Sequence, residues 1–242
     1  MDGKAILVLA IIGVIGIAAG GWILANYEPQ RTGNILVGLG VGGFIMAVLA
    51  SPLKESIDVD DDSEGPEVSG GNIFAQVIGG FLFSIIPILL SVFTPLSIGI
   101  PVISYSVAVQ GIVSIAIAPI IEELFFLTLA IIVYYLSLRV TGNRPIAIVF
   151  TLITIPAVFA AYHWVAYGAT FLVGTAFIGA AIFRAITLII ILAVAAVADE
   201  GEVGFSTETV APVIISLIIM HAVFNAFAFV SGLSKLGSVV GT

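Results

Sequence analysis

The sequence contains no cysteine, only two histidines and few charged residues. Charged residues make up 9% of the chain, whereas an average soluble domain carries about 25%. The absence of cysteine excludes disulfides, thiolate nucleophiles and cysteine-based metal sites. The seven lysines and arginines form no basic patch, so a nucleic-acid partner is not expected.

Apolar residues are what the chain has in abundance. They account for 60% of its 242 residues, and the mean hydropathy is +1.27. A helix that crosses a bilayer needs about 20 consecutive, mostly apolar residues, and several runs reach that length. The sequence therefore predicts an all-α, polytopic transmembrane helical bundle. Such a protein is surrounded by membrane lipids, and we predict that it resides in the plasma membrane.

The apolar runs predict about seven or eight membrane spans. The first run is longer than the apolar region of a signal peptide and predicts a retained helix. The fourth run has 37 residues and exceeds one crossing, so it is tilted, broken at Pro119, or divided into two helices. The predicted spans are Ala5–Ala25, Ile35–Leu53, Ile73–Phe93, Val102–Leu138, Ile146–Tyr167, Thr170–Val197 and Val210–Val230.

Acidic residues divide the chain into regions. The net charge is −8, and ten of the fifteen acids lie in two polar stretches. One of them, within residues 54–72, is rich in Gly, Ser and Pro and predicts a disordered linker. It separates a transmembrane hairpin at 1–53 from a larger bundle at 73–242. Lysine and arginine near the span ends favour an N-terminus on the inside.

A few strongly polar residues interrupt the apolar spans. An ionisable residue at the centre of a membrane helix costs about 2.5–3.5 kcal/mol, so each of them needs a compensating partner. Adjacent residues on a helix diverge by about 100°, so one glutamate of "PIIEELFF" faces a cavity and the other a partner helix. The residues that carry chemistry are Glu122, Glu123, His163, Arg184, His221 and Asn225.

Two spacings place polar groups on shared helix faces. His221 and Asn225 are four residues apart, and so are Phe159 and His163, which puts each pair one turn apart on one face. This inventory suits a general base with oxyanion donors. Two other interpretations stay open: hydrogen bonds that only join helices, and a zinc site, which the lack of an HExxH motif disfavours. A bound metal or other cofactor is not expected.

Three short motifs in this order resemble the CPBP intramembrane glutamate proteases, also called the CAAX prenyl endopeptidase and bacteriocin-processing (Abi) family. The family pattern is EExxxR, then FxxxH, then HxxxN. The corresponding stretches here are "EELFFL", "FAAYH" and "HAVFN", and the resemblance covers roughly residues 73–231. One position departs from the pattern, because Leu127 stands where the family has arginine.

The resemblance implies an endopeptidase that acts on a peptide or membrane-protein substrate without a metal. Glu122 with His163 would activate a water, and His221 with Asn225 would donate hydrogen bonds to the oxyanion. Arg184 is the one intramembrane cation, and we expect it to replace the missing arginine as the partner of Glu123. Two alternatives remain: an inactive membrane scaffold or chaperone, and a transporter or proton-relay protein.

Overall fold

Helices form all the regular secondary structure that the structure describes. The structure is a computed structural model, and it describes residues 70–94, 111–167, 175–198 and 203–240. Within these ranges the prediction of an all-α protein is confirmed. The helices are α1 (Gly70–Phe93), a π-helix (Val113–Ile117), α2 (Ala118–Thr141), α3 (Arg144–Tyr167), α4 (Thr175–Ala198), α5 (Thr207–Val210) and α6 (Ile214–Val240).

Five helical segments in the described ranges are long and apolar enough to cross a membrane. This supports an integral membrane protein, and it agrees with five of the predicted spans. The other two predicted spans, and with them the hairpin at 1–53, lie outside the described residues. So does nearly all of the predicted linker, and the described residues neither reach the predicted total of seven or eight nor test the orientation of the chain.

The long fourth span is continuous through Pro119 over its described part. Residues 111–141 stay helical, and Val113–Thr141 makes one candidate span of 29 residues. The break predicted as one alternative is therefore not found. Instead, the helix widens into a π-helix directly before Pro119, where the N–H of Ala118 donates to the carbonyl of Val113. A wider turn accommodates the proline ring, which in an α-helix clashes with the carbonyl four residues earlier.

A tight turn sets the antiparallel packing of α2 and α3. Gly142 ends α2 in the left-handed conformation (φ 61°), where its missing Cβ avoids strain. The side chain of Asn143 then accepts a hydrogen bond from the N–H of Ile146 at 3.1 Å and caps α3.

Glu123 lies 18 residues before the end of α2, and His163 lies 19 residues after the start of α3. At about 1.5 Å per residue, the two side chains therefore sit at a similar depth.

Helix α1 is anchored to the start of α6 by two hydrogen bonds to Gln76. The N–H of Ile215, near the N-terminus of α6, donates to the side-chain oxygen of Gln76 at 3.0 Å. The Ser216 hydroxyl donates to the Gln76 carbonyl at 2.6 Å. A first-turn N–H has no partner within its own helix, so Gln76 supplies one from α1. The contact holds in place the helix that carries His221 and Asn225.

Gly80 makes the approach of α1 to α6 close enough for these bonds. A Cβ at Gly80 would lie 2.5 Å from Cβ of Ile219 and 2.7 Å from the Ser216 carbonyl oxygen. Since neither atom is the end of a flexible side chain, Gly80→Ala should lower the free energy of unfolding by about 1–3 kcal/mol. Equilibrium unfolding in detergent micelles measures this change.

Gly79→Ala is the matched control for Gly80→Ala. The added methyl group at Gly79 meets the Ser216 Oγ at 3.1 Å as its nearest neighbour, so a shift of a few tenths of an ångström relieves the contact. We expect a clearly smaller loss of stability for this variant. Equal losses for the two variants would show that the close backbone contact at Gly80 does not limit the packing.

Candidate functional site

Glu123 and Arg184 form a fully buried ion pair between α2 and α4. The two guanidinium nitrogens donate to the two carboxylate oxygens, Nη1 to Oε2 at 2.8 Å and Nη2 to Oε1 at 3.1 Å. Both side chains are 0% exposed. This is the pairing that the sequence predicted for Arg184. Two parallel hydrogen bonds are the strongest geometry for such a pair, so Glu123 is held in its charged form by a neighbouring helix.

Aromatic rings enclose the guanidinium of Arg184. Its central carbon lies 4.3 Å from the ring centroid of Phe159 and 5.3 Å from that of Phe126. A cation over an aromatic face is attracted by the ring quadrupole, more strongly where water is excluded. The Arg184 side chain is fully buried, and its Nε has no hydrogen-bond partner among the described residues. The ion pair is thus held inside an apolar shell.

His221 lies between the two glutamates. Its Nδ1 is 2.7 Å from Oε1 of Glu123, and its Nε2 is 3.7 Å from Oε2 of Glu122. Helix α6 therefore brings an imidazole to both carboxylates of α2. The sequence predicted that His221 and Asn225 share a face, but nothing in it placed His221 against the glutamates, because this contact depends on how α6 is rotated against α2.

The two glutamates have different surroundings, as expected for adjacent residues on a helix. The side chain of Glu123 is 0% exposed and makes the bonds to Arg184 and His221. The side chain of Glu122 is 9% exposed, and its Oε2 lies 3.7 Å from His221 Nε2. Glu122 is consequently the carboxylate with room for a water or a substrate group.

His163 is fixed by the residue one turn before it. Its Nδ1 lies 2.7 Å from the carbonyl oxygen of Phe159, and since a carbonyl only accepts, Nδ1 must carry the hydrogen. The ring also packs on the Phe159 ring, with 4.5 Å between centroids. The Glu122 carboxylate interacts electrostatically with this imidazole. Phe159 thus supports His163 with its backbone and Arg184 with its ring.

Asn225 contacts the π-helix rather than the glutamates. Its Nδ2 donates to the carbonyl of Ser114 at 2.7 Å, and Ser114 lies in the π-helical segment Val113–Ile117. One amide hydrogen is used by this bond, and the second remains for another acceptor. The contact joins α6 to the turn of helix that leads into Glu122 and Glu123.

Several residues at the site were not predicted from the sequence. Phe183 packs on His221 with 4.8 Å between ring centroids, and Phe224 stacks on Phe183 at 5.1 Å. Tyr162 packs edge-on against His163 at 5.2 Å. In sequence these are ordinary apolar or aromatic residues of membrane spans. Phe183 precedes Arg184 and Tyr162 precedes His163 in the sequence, but this proximity alone is too weak a signal to predict their contacts at the site.

A cleft of about 360 Å³ lies at another level of the bundle, where the helix ends meet α5. Its walls include Tyr134, Arg144 and Glu208, and none of the predicted site residues lines it. Tyr134 is 11 residues beyond Glu123 on α2, or about 16 Å along the helix. The cleft is therefore separate from the glutamate site.

Among the described residues, no three His, Asp or Glu side chains are arranged to hold a metal ion. Comparison with known proteins found no matching family model, no matching curated protein and no matching solved structure. The resemblance of the three motifs to the intramembrane glutamate proteases therefore stands on the residues of this chain.

Proposed function

We propose that the protein is a membrane-embedded endopeptidase of the intramembrane glutamate type, which hydrolyses a peptide bond with a water activated by Glu122. The observation that carries the proposal is the buried cluster of Glu122, Glu123, Arg184 and His221, contributed by three helices. The full protein in this proposal has seven or eight spans, with the N-terminal hairpin beside the bundle, and lies in the plasma membrane.

Glu122 suits the role of general base better than Glu123 does. The charge of Glu123 is already neutralised by Arg184 through two hydrogen bonds, so that carboxylate is poorly placed to accept a proton. Among the described residues no guanidinium bonds to Glu122, and its side chain is 9% exposed. A base must reach the water that it deprotonates. His163, held by the contact between its Nδ1 and the Phe159 carbonyl, would help Glu122 to activate the same water.

Asn225 supplies a fixed donor for the oxyanion that forms when water attacks a carbonyl. Its bond to the Ser114 carbonyl orients the amide before substrate arrives, and preorganised donors of this kind stabilise the developing charge. The site excludes bulk water by its aromatic shell of Phe126, Phe159 and Phe183. Electrostatic interactions are stronger in such surroundings than in water.

The test is cleavage by the full chain reconstituted in lipid nanodiscs. Mass spectrometry would compare products from a peptide library and from solubilised membrane proteins for the wild type, Glu122→Ala and Glu208→Ala. Glu208 is an exposed acid on α5 outside the cluster, so that variant should cleave like the wild type. Glu122→Ala should form no product, and added EDTA should not change the wild-type rate.

The result that contradicts the proposal is equally clear. Identical products from the wild type and Glu122→Ala would assign the cleavage to something other than this site. No product from the wild type over the whole library would favour the scaffold or chaperone interpretation. Unfolding curves of both variants establish that a lost activity is not a lost fold.

A further inference from the structure

We propose that Pro119 is a positioning residue of the site, which acts through Asn225. Because proline has no N–H, Pro119 leaves the Ser114 carbonyl available to Asn225, and the resulting bond fixes the direction of the Asn225 amide. The functional part of this inference rests on the proposed endopeptidase function. The part that concerns the backbone of the π-helix is tested in the resting protein.

The Ser114 carbonyl lacks both backbone donors that a helix normally offers. In an α-helix the donor is the N–H four residues later, but the N–H of Ala118 donates to Val113 instead. In a π-helix the donor is the N–H five residues later, and that residue is Pro119, which has none. Backbone polar groups of a membrane helix must be satisfied within the protein, so this carbonyl needs a donor from another helix.

Asn225 of α6 supplies this donor. Its Nδ2 donates to the Ser114 carbonyl at 2.7 Å, and the residue is 6% exposed. One turn further along α6, Phe229 packs against the helix at Gly111, where an added Cβ would lie 3.3 Å from the Phe229 ring. Helix α6 is therefore close to the helix that contains Ser114 at two successive turns. This closeness lets the short side chain of Asn225 reach a backbone carbonyl.

The bond determines which end of the Asn225 amide faces the π-helix. A carbonyl only accepts hydrogen bonds, so Nδ2 rather than Oδ1 lies against Ser114. Nδ2 carries two hydrogens, and an amide that is held through the first presents the second in one direction. In the proposed mechanism the second hydrogen donates to the oxyanion. A donor that is oriented beforehand stabilises the developing charge without reorganisation during the reaction.

A double-mutant cycle tests the backbone part of the inference on the full chain in mixed detergent micelles. Pro119→Ala provides an N–H five residues after Ser114, where it continues the ladder of the π-helix. Asn225→Ala should lower the unfolding midpoint in the wild-type background, because the Ser114 carbonyl loses the donor described for it. In the Pro119→Ala background the drop should be at most about half as large, since a backbone donor remains.

Pro156→Ala gives the control background for this cycle. Pro156 is another buried proline inside a helix, on α3, so Asn225→Ala should cause the full drop there. Drops are compared within each background, so the effect of a proline change alone cancels. If Asn225→Ala by itself does not fold, the inference requires that adding Pro119→Ala restores folding. Equal drops in all three backgrounds, or failure of both Asn225→Ala proteins to fold, overturn the inference.

The positioning role is measured by steady-state kinetics in nanodiscs, with a library peptide that the wild type cleaves. Pro119→Ala should lower kcat and leave KM nearly unchanged, because the affected hydrogen bond forms only in the transition state. The loss should stay below the about 10²–10³-fold expected for Asn225→Ala. The double variant should be no slower than Asn225→Ala alone, because Pro119 acts only through that amide.

Two kinetic results would contradict the positioning role. One is a wild-type kcat for Pro119→Ala, and the other is a pair of losses that multiply in the double variant, as independent structural effects would. A wild type that cleaves no peptide removes the proposed function and the positioning role with it. The unfolding cycle still decides whether Asn225 takes the place of the donor that Pro119 lacks.

Discussion

Replacing Arg184 by methionine should lower the free energy of unfolding by about 3–5 kcal/mol, the usual effect of removing one partner of a buried ion pair. The change leaves Glu123 buried with only His221 as a hydrogen-bond partner among the contacts described. It also removes the cation from the faces of Phe126 and Phe159. Methionine preserves most of the side-chain volume, so the expected loss comes from the charge.

Two double variants separate charge from packing. Adding Glu123→Gln to Arg184→Met removes the stranded carboxylate and should recover part of the lost stability. Adding Leu127→Arg instead returns a cation four residues after Glu123, on the same face of α2, where the resemblance places the family's arginine. Leu127 is 1% exposed, so the new side chain points into the bundle. It should also recover stability if one cation near Glu123 is what the site requires.

Arg139→Met is the control for these variants. Arg139 is an exposed residue in the last turn of α2, and surface changes of this kind stay within about 0.5 kcal/mol. Unfolding in mixed micelles gives all four free energies. An Arg184→Met protein as stable as Arg139→Met would show that the ion pair contributes nothing to the fold.

Replacing Asn225 by alanine should lower kcat by about 10²–10³, the typical effect of losing one oxyanion donor. In the resting protein Asn225 donates to the Ser114 carbonyl, and in the proposed mechanism its second amide hydrogen donates to the reacting oxygen. Because this bond forms as charge develops, KM should change little while kcat falls. Steady-state kinetics with the substrate identified in the nanodisc assay give both constants.

Asn225→Asp tests the direction of the hydrogen bond. Aspartate has nearly the same shape, but when ionised it only accepts, so it would face the Ser114 carbonyl without a donor. We expect it to be at least as impaired as the alanine variant. Asn143→Ala is the control: it removes the cap of α3 and should reduce stability by about 1 kcal/mol with kcat unchanged. A wild-type kcat for Asn225→Ala would exclude Asn225 from the oxyanion site.

The described helices show how far apolar runs alone predict the fold. The runs at Ile73–Phe93 and Ile146–Tyr167 agree with α1 and α3 within a few residues. Their lengths follow from the thickness of the bilayer, which every spanning helix must match. The π-helix before Pro119 was not predicted. A one-residue widening changes neither hydropathy nor length, and it depends on how the helix accommodates proline and bonds to Asn225.

At the site, the sequence predicted the ion-pair partner of Glu123 but not the position of His221. A buried charge needs an opposite charge and the predicted spans contain no other cation, so Arg184 was expected near one of the glutamates. The family resemblance implied that this glutamate is Glu123. The position of His221 between both glutamates followed from no such requirement. It depends on the rotation of α6, which the Gln76 and Gly80 contacts with α1 hold in place.

The sequence by itself determined the membrane-spanning helices and the polar residues that could carry chemistry. It also determined that their charges must be neutralised, because these properties follow from hydropathy and electrostatics along one chain. Only the tertiary structure decided how far each glutamate side chain is buried, and that one histidine lies near both. Those outcomes depend on distances of a few ångströms between helices far apart in sequence. Packing sets such distances, and helical periodicity carries no information about them.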